Sequence, residues 1–186
     1  EPKYMAQFER ILSIPAKNYE KKMLGYLTDE EMNCILSTFN RSTPDGFRNY
    51  ALFMLMYNVG ARVSEIISIK CKDVGTNQIL IHGKSSKDRI VPIWPETAKL
   101  LSQLIVKENL DPDRNLFLNR KKEPLTRSGI SYILATASTK AAKECPTLQG
   151  RKTSPHTIRH TTAMHLLQSG TDLNLIRMWL GHVHLD

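Results

Sequence analysis

From Tyr26 onward, apolar residues recur at helical spacing and are cut into short elements by capping and turn residues. Thr28-Asp-Glu-Glu31 has the form of a capping box, in which a threonine hydroxyl and a glutamate carboxylate satisfy the first amides of a helix. It predicts a helix through about Thr38, after which Pro44-Asp-Gly46 reads as a turn. The stretch from Phe47 to Val59 is apolar on most sides and predicts a buried helix, with Gly60 standing where helices commonly end. A short helix follows over Val63 to Ile69. Residues 77–83 and 88–93 are rich in β-branched side chains and flank the polar Lys84-Ser-Ser-Lys87, the pattern of a hairpin. Helical spacing returns over about 95–108, 127–144, 156–168 and 172–180. No internal repeat or low-complexity tract interrupts this order. The expected fold class is therefore mainly α with a small antiparallel β-sheet, an α+β chain.

Residues 1–25 differ in character. Apolar positions, a proline and then a basic polar run suit a linker arriving from a preceding unit, so the compact domain is expected over 26–186. At 186 residues and 41% hydrophobic, the chain can bury one ordinary core. The most apolar run, Ala51 to Tyr57, is far short of the roughly 18 residues a membrane helix needs, so no membrane association is expected. No signal-peptide pattern opens the sequence, and its first residue is Glu1, so a piece of a longer chain is expected. Cys34, Cys71 and Cys145 are odd in number and scattered, which argues against a disulfide framework or zinc ribbon and for a cytoplasmic setting. Twenty-six Lys and Arg against 18 Asp and Glu leave a charge of +8, which attracts polyanions, of which nucleic acid is the commonest.

Candidate chemistry gathers in four places. His156-Thr-Ile-Arg159-His160 lies within one predicted helix, with spacings i, i+3 and i+4. A zinc reading of His156 and His160 lacks the glutamate of H-E-x-x-H and would set Arg159 beside the metal, so no metal is expected. An anion site fits better, since arginine offers paired donors to phosphate oxygens and histidines a turn away can donate or exchange protons. Arg62 follows a buried helix, and Glu65 at i+3 can take one side of its fork while a ligand meets the other. Lys84, Lys87 and Arg89 cluster at the hairpin turn. Leu180-Gly-His182 ends the last helix and carries a histidine into the open.

Taken together, Gly60-Ala-Arg62-Val-Ser-Glu65, Gly83-Lys84-Ser-Ser-Lys87-Asp-Arg89-Ile-Val-Pro92, His156-x-x-Arg159 and Leu180-Gly-His182 stand in the order seen in the tyrosine recombinases. From about Tyr26 to its end the chain resembles the catalytic domain of that phage-integrase family. The resemblance implies that family's fold, and a DNA strand-breaking and rejoining activity used in integration and other site-specific recombination, as by mobile elements. It implies Arg62 and Arg159 as stabilisers of the phosphate in the transition state, Lys84 as general acid, and His156 as acceptor or holder of the nucleophile's proton. His182 would hydrogen-bond a phosphate oxygen, and Glu65 would orient Arg62 or a nearby histidine. Lys87, Arg89, Arg151 and Lys152 would contact the DNA backbone. Double-stranded DNA and further protomers, as a tetramer on two sites, are the implied partners, with no cofactor. The family's tyrosine is expected at about position 191, so the nucleophile and the C-terminal segment would lie past Asp186. Tyr4, Tyr19, Tyr26, Tyr50, Tyr57 and Tyr132 all precede His156 and match no such role. The chief alternative is a non-catalytic DNA-binding regulator of the same fold. A zinc hydrolase built on His156 and His160 and a plain basic helical protein are more distant ones.

Overall fold

A computed structural model describes residues 25–83 and 88–181. The order is α1 (Asp29–Ser37), α2 (Pro44–Val59), α3 (Val63–Ser68), a 3₁₀ turn (Cys71–Asp73), β1 (Gln78–Ile81), β2 (Arg89–Pro92), α4 (Pro95–Glu108), α5 (Arg127–Ala141), a second 3₁₀ turn (Pro146–Leu148), α6 (Pro155–Gln168) and α7 (Leu173–Leu180). The α+β reading holds: the described residues are mostly helical and carry a two-stranded antiparallel sheet.

α2 is the hub. Ala51, Leu52, Phe53, Leu55, Met56 and Val59 are all buried, so this helix has apolar neighbours on nearly every side. It packs against α1, α4 and α6, while α5 closes over α1. One boundary differs from the sequence reading. Pro44-Asp-Gly46 is not a separate turn but the first turn of α2. Thr43 caps it, its hydroxyl accepting from the Gly46 amide at 3.1 Å, and Pro44 occupies the position where a missing N–H costs nothing. The capping box at the start of α1 is present as expected, with Glu31 accepting from the Thr28 amide at 2.9 Å and Thr28 from the Glu31 amide at 3.2 Å.

Three structural details place the future site. First, α2 ends at Gly60 with φ of +59°, where a Cβ would lie 2.6 Å from a methyl of Leu180. Only glycine allows both that left-handed backbone and the close approach of the ends of α2 and α7. Second, β1 and β2 pair from Gln78↔Pro92 to Ile81↔Arg89, so the register sets Arg89 opposite the last residue of β1. Third, α6 starts at a capped turn, with Ser154 Oγ accepting from the Thr157 amide at 3.2 Å and a proline at its first position.

Candidate active site

The first turn of α6 carries His156, exposed, and one turn later Arg159, only 6% exposed. The sequence spacing joined these residues with His160 on one polar face. In the fold Arg159 turns inward, whereas His156 and His160 stay in solvent. A guanidinium tolerates this burial because of what it meets. Its Nη1 donates to the Gly60 carbonyl and its Nη2 to the Leu180 carbonyl, both at 2.7 Å. Those are carbonyls at the C-terminal ends of α2 and α7, which lack partners within their helices and carry the negative ends of the helix dipoles. Burial, with the charges of Arg62 and Arg89 nearby and against the pull of Glu65, lowers the Arg159 pKa to about 10. It remains a cation at neutral pH.

Glu65 organises the other two arginines. It is the third residue of α3 and is only 6% exposed in its side chain. Its Oε2 accepts from the Arg62 backbone amide at 2.8 Å, capping the helix, and its Oε1 accepts from Arg62 Nη1 at 3.1 Å. Arg89 supplies a fork to the same carboxylate, Nη1 to Oε1 at 3.2 Å and Nη2 to Oε2 at 2.9 Å. Burial alone would raise the Glu65 pKa, but the bonds from Arg89 and the Arg62 amide outweigh it and hold the group ionised below its ordinary value. Arg62 remains half-exposed at 48%, Arg89 only 12%. Three arginines against one carboxylate leave a local formal charge of +2, and Arg62 is its outlet to solvent. Such a surplus attracts an anion with several oxygens.

Arg89 was expected among the cations that meet DNA. Its guanidinium is instead turned inward: besides Glu65, its Nε donates to the Trp179 carbonyl at 2.9 Å. Gly181 makes room for it, since a Cβ there would fall 2.9 Å from Arg89 Nη1, and its φ of +70° also favours glycine. The glycine of Leu180-Gly-His182 thus ends α7 and lets the hairpin's arginine reach under it. A signal for this stood in the sequence. Strand alternation puts Arg89 on the face of buried Val91 and leaves Ile90 outward.

Arg151 is turned inward as well. Its Nη1 meets both oxygens of buried Glu31, at 2.5 and 2.6 Å, and its Nη2 donates to the Tyr26 carbonyl at 2.7 Å. No local pattern announces a pair so far apart in sequence. Burial would raise the Glu31 pKa, but bonds from the Thr28 amide, Thr147 and Arg151 bring it below the ordinary value. A carboxylate with a folded pKa below its unfolded one stabilises above the unfolded value, and that contribution is lost as pH falls through the folded value. Arg151→Ala leaves a buried carboxylate unpaired and is expected to cost about 3 kcal/mol at pH 7. The cost should shrink as pH drops below the carboxylate range, as read by urea unfolding at pH 7 and pH 3.

Lys152 is exposed, as a surface cation should be. Lys84, Lys87 and His182 lie outside the described residues. The fold brings their neighbours together nonetheless: Arg89 follows the hairpin turn, and Leu180, two positions before His182, is held by Arg159. His160 and His165 have other surroundings. His160 stands edge-on to Tyr26 at 6.2 Å, and His165 Nδ1 meets the Tyr57 hydroxyl at 2.7 Å.

Comparison with known proteins bears on the whole chain. Residues 25–186 match the phage integrase family. The integrase/recombinase y4rC of Sinorhizobium fredii is 34% identical over 188 aligned residues, covering all of this chain and 57% of that protein. Tyrosine recombinase XerC of Bacillus pumilus is 35% identical over 186 residues, covering 95% of this chain and 58% of that one. Among solved structures, the XerH site-specific recombinase bound to its difH substrate in a pre-cleavage complex superposes with a TM-score of 0.75 at 28% identity, over 88% of this chain and 49% of that chain. The chain therefore spans less than two thirds of the length of these relatives. Motif order, Arg62 and Arg89 paired to Glu65 with Arg159 buried beside them, and the match over residues 25–186 lead to one conclusion: the chain belongs to the phage integrase family of tyrosine recombinases.

Proposed function

We propose that this chain is the phosphate-activating part of a site-specific DNA recombinase that cuts and rejoins strands through a 3′-phosphotyrosyl intermediate. The observation that carries the reading is the group of Arg62, Arg89 and Arg159 around one ionised, buried Glu65, open to solvent at Arg62. Attack of a side-chain hydroxyl on a phosphodiester concentrates negative charge on the nonbridging oxygens. Donors already fixed toward those oxygens stabilise that state without reorganising as it forms.

Arg62 and Arg159 take this role. Arg159's two bonds to helix-end carbonyls use two of the five N–H donors of a guanidinium, which leaves others for an oxygen. Glu65 orients Arg62, and Arg89 braces Glu65. His156, exposed at the rim, accepts or holds the proton of the attacking tyrosine, expected near position 191 of the longer chain. Lys84 protonates the 5′ oxygen as it leaves, and His182 donates to a phosphate oxygen. The P–O bond to the 5′ strand breaks as the P–O bond to tyrosine forms. The linkage keeps its energy, so the reverse attack by a 5′ hydroxyl rejoins a strand without ATP.

Double-stranded DNA is the proposed substrate, and further copies of the protein, as a tetramer on two sites, the proposed assembly in a cytoplasmic setting. Lys87 and Lys152 are the proposed backbone contacts, while Arg89 and Arg151 act from inside the fold. Binding to duplex DNA should fall on the order of 10³-fold between 50 and 200 mM salt if about six phosphates are neutralised. Titration by fluorescence anisotropy reads this slope, and a flat response would remove the DNA reading.

A further inference from the structure

α6 closes the open end of α2 with two donors one helical turn apart. Arg159 is the first, its Nη1 donating to the Gly60 carbonyl at 2.7 Å. Thr162, only 4% exposed and three positions further along α6, is the second, its hydroxyl donating to the Tyr57 carbonyl at 2.6 Å. Tyr57 belongs to the last turn of α2, where a helix leaves its carbonyls without an internal partner. The acceptors, at 57 and 60, are also three positions apart, so the two bonds match turn for turn with the chains running in opposite directions.

The Thr162 hydroxyl also stands 3.2 Å from the Ile158 carbonyl of its own helix, the bond that threonines within helices ordinarily make. Here the shorter contact is the one that crosses to α2. The methyl group sits as closely: a Cβ at Gly60 would fall 3.1 Å from Thr162 Cγ2, so α6 approaches the bare backbone of that glycine. The two donors differ in what they fix. A guanidinium on a long stem with several rotatable bonds can reach its carbonyls from a range of helix positions. A hydroxyl borne directly on Cβ cannot, so Thr162 tolerates little sliding or turning of α6 on α2.

We infer that Thr162 is a positioning residue: by bonding the Tyr57 carbonyl it sets the register of α6 against the end of α2. That register places the Arg159 guanidinium between the Gly60 and Leu180 carbonyls with donors left for a phosphate oxygen. This rests on the reading of Arg159 as a stabiliser of the phosphate. Thr162 is itself buried and meets neither DNA nor nucleophile in this scheme.

The test is single-turnover cleavage of nicked duplex DNA by the full-length protein. Thr162→Val keeps the branched shape and removes the donor, while Thr162→Ser keeps the donor and loses the methyl group. Thr162→Val should cleave about tenfold or more slowly, since a misplacement on the order of 1 Å can cost about 10²-fold. Thr162→Ser should stay near the unsubstituted rate, and the affinity of both for duplex DNA, read by fluorescence anisotropy, should not change. In an Arg159→Ala background Thr162→Val should slow cleavage by no more than about twofold further, because the group it positions is gone. Slowing by the same factor with and without Arg159, or no slowing at all, would overturn the positioning role. So would a Thr162→Ser as slow as Thr162→Val. If urea unfolding shows that Thr162→Val does not fold, Thr162→Cys, whose thiol is a weak donor in the same place, is read by the same criteria. If Arg159→Ala alone leaves cleavage intact, the reading of Arg159 fails and takes the role of Thr162 with it.

Discussion

Arg159→Lys in the full-length protein is expected to lower single-turnover strand cleavage by about 10²- to 10³-fold, the cost of removing one preorganised donor from a developing oxyanion. Lysine keeps the charge, so the loss isolates geometry. The guanidinium spans the Gly60 and Leu180 carbonyls with two nitrogens at 2.7 Å each, and a single ammonium cannot reach both while also meeting a phosphate oxygen. One helix-end carbonyl is left without its partner, which should also cost roughly 1–3 kcal/mol of stability. Arg62→Ala provides the contrast. Its side chain is half-exposed, so the fold should lose no more than about 1 kcal/mol while cleavage falls by a comparable factor. Urea unfolding beside cleavage rates separates the two arginines: one anchors and activates, the other activates.

Glu65→Ala is the most damaging change expected for the fold. Arg89 would remain buried without its carboxylate, with Arg159 near enough to repel it. Breaking a buried pair from one side costs about 3–5 kcal/mol. In a domain of this size that is a fall in Tm on the order of 10 °C. The carboxylate's pKa is depressed, so its contribution is present above the unfolded carboxylate value and is lost as pH falls through the folded one. Replacing both partners, Glu65→Leu with Arg89→Met, should return part of the lost stability, since an apolar pair removes the uncompensated charge. Cleavage should stay low in the double variant, because Arg62 would still lack the oxygen that orients it. Thermal unfolding together with single-turnover cleavage reads both arms, and recovery of cleavage in the double variant would remove Glu65 from the machinery.

Much of this was legible in the residues. The capping box of Thr28 and Glu31 and the all-round apolar α2 are local patterns with local causes, and each became the expected element. So did the β-branched runs either side of residues 84–87. Pro44-Asp-Gly46 reads as a turn because the same residues serve a turn or a helix start, and Thr43 decides for the helix. Arg62, Glu65 and Arg159 were named from motif order, and the fold brings them together. Their depth was harder to read. Arg159 can be buried only because two helices end against it, and nothing near residue 159 announces the carbonyls of residues 60 and 180. Alternation with Val91 marks Arg89 as inward, whereas the basic residues Lys84 and Lys87 before it suggest an outward cation. The partner of Arg151 lies 120 positions away, a distance at which sequence gives no spacing to count.

In the proposed function this arginine group activates a DNA phosphate for attack by a tyrosine near position 191. The most direct measurement is covalent trapping on nicked duplex DNA from the ends of the parent element. It compares residues 1–186 with a form extended about twenty residues past Asp186. A protein–DNA adduct is expected with the extended form alone, abolished by Tyr→Phe at the expected position and carried on a 3′ phosphate. An adduct from residues 1–186, or an extended form that binds DNA yet forms none, would contradict it.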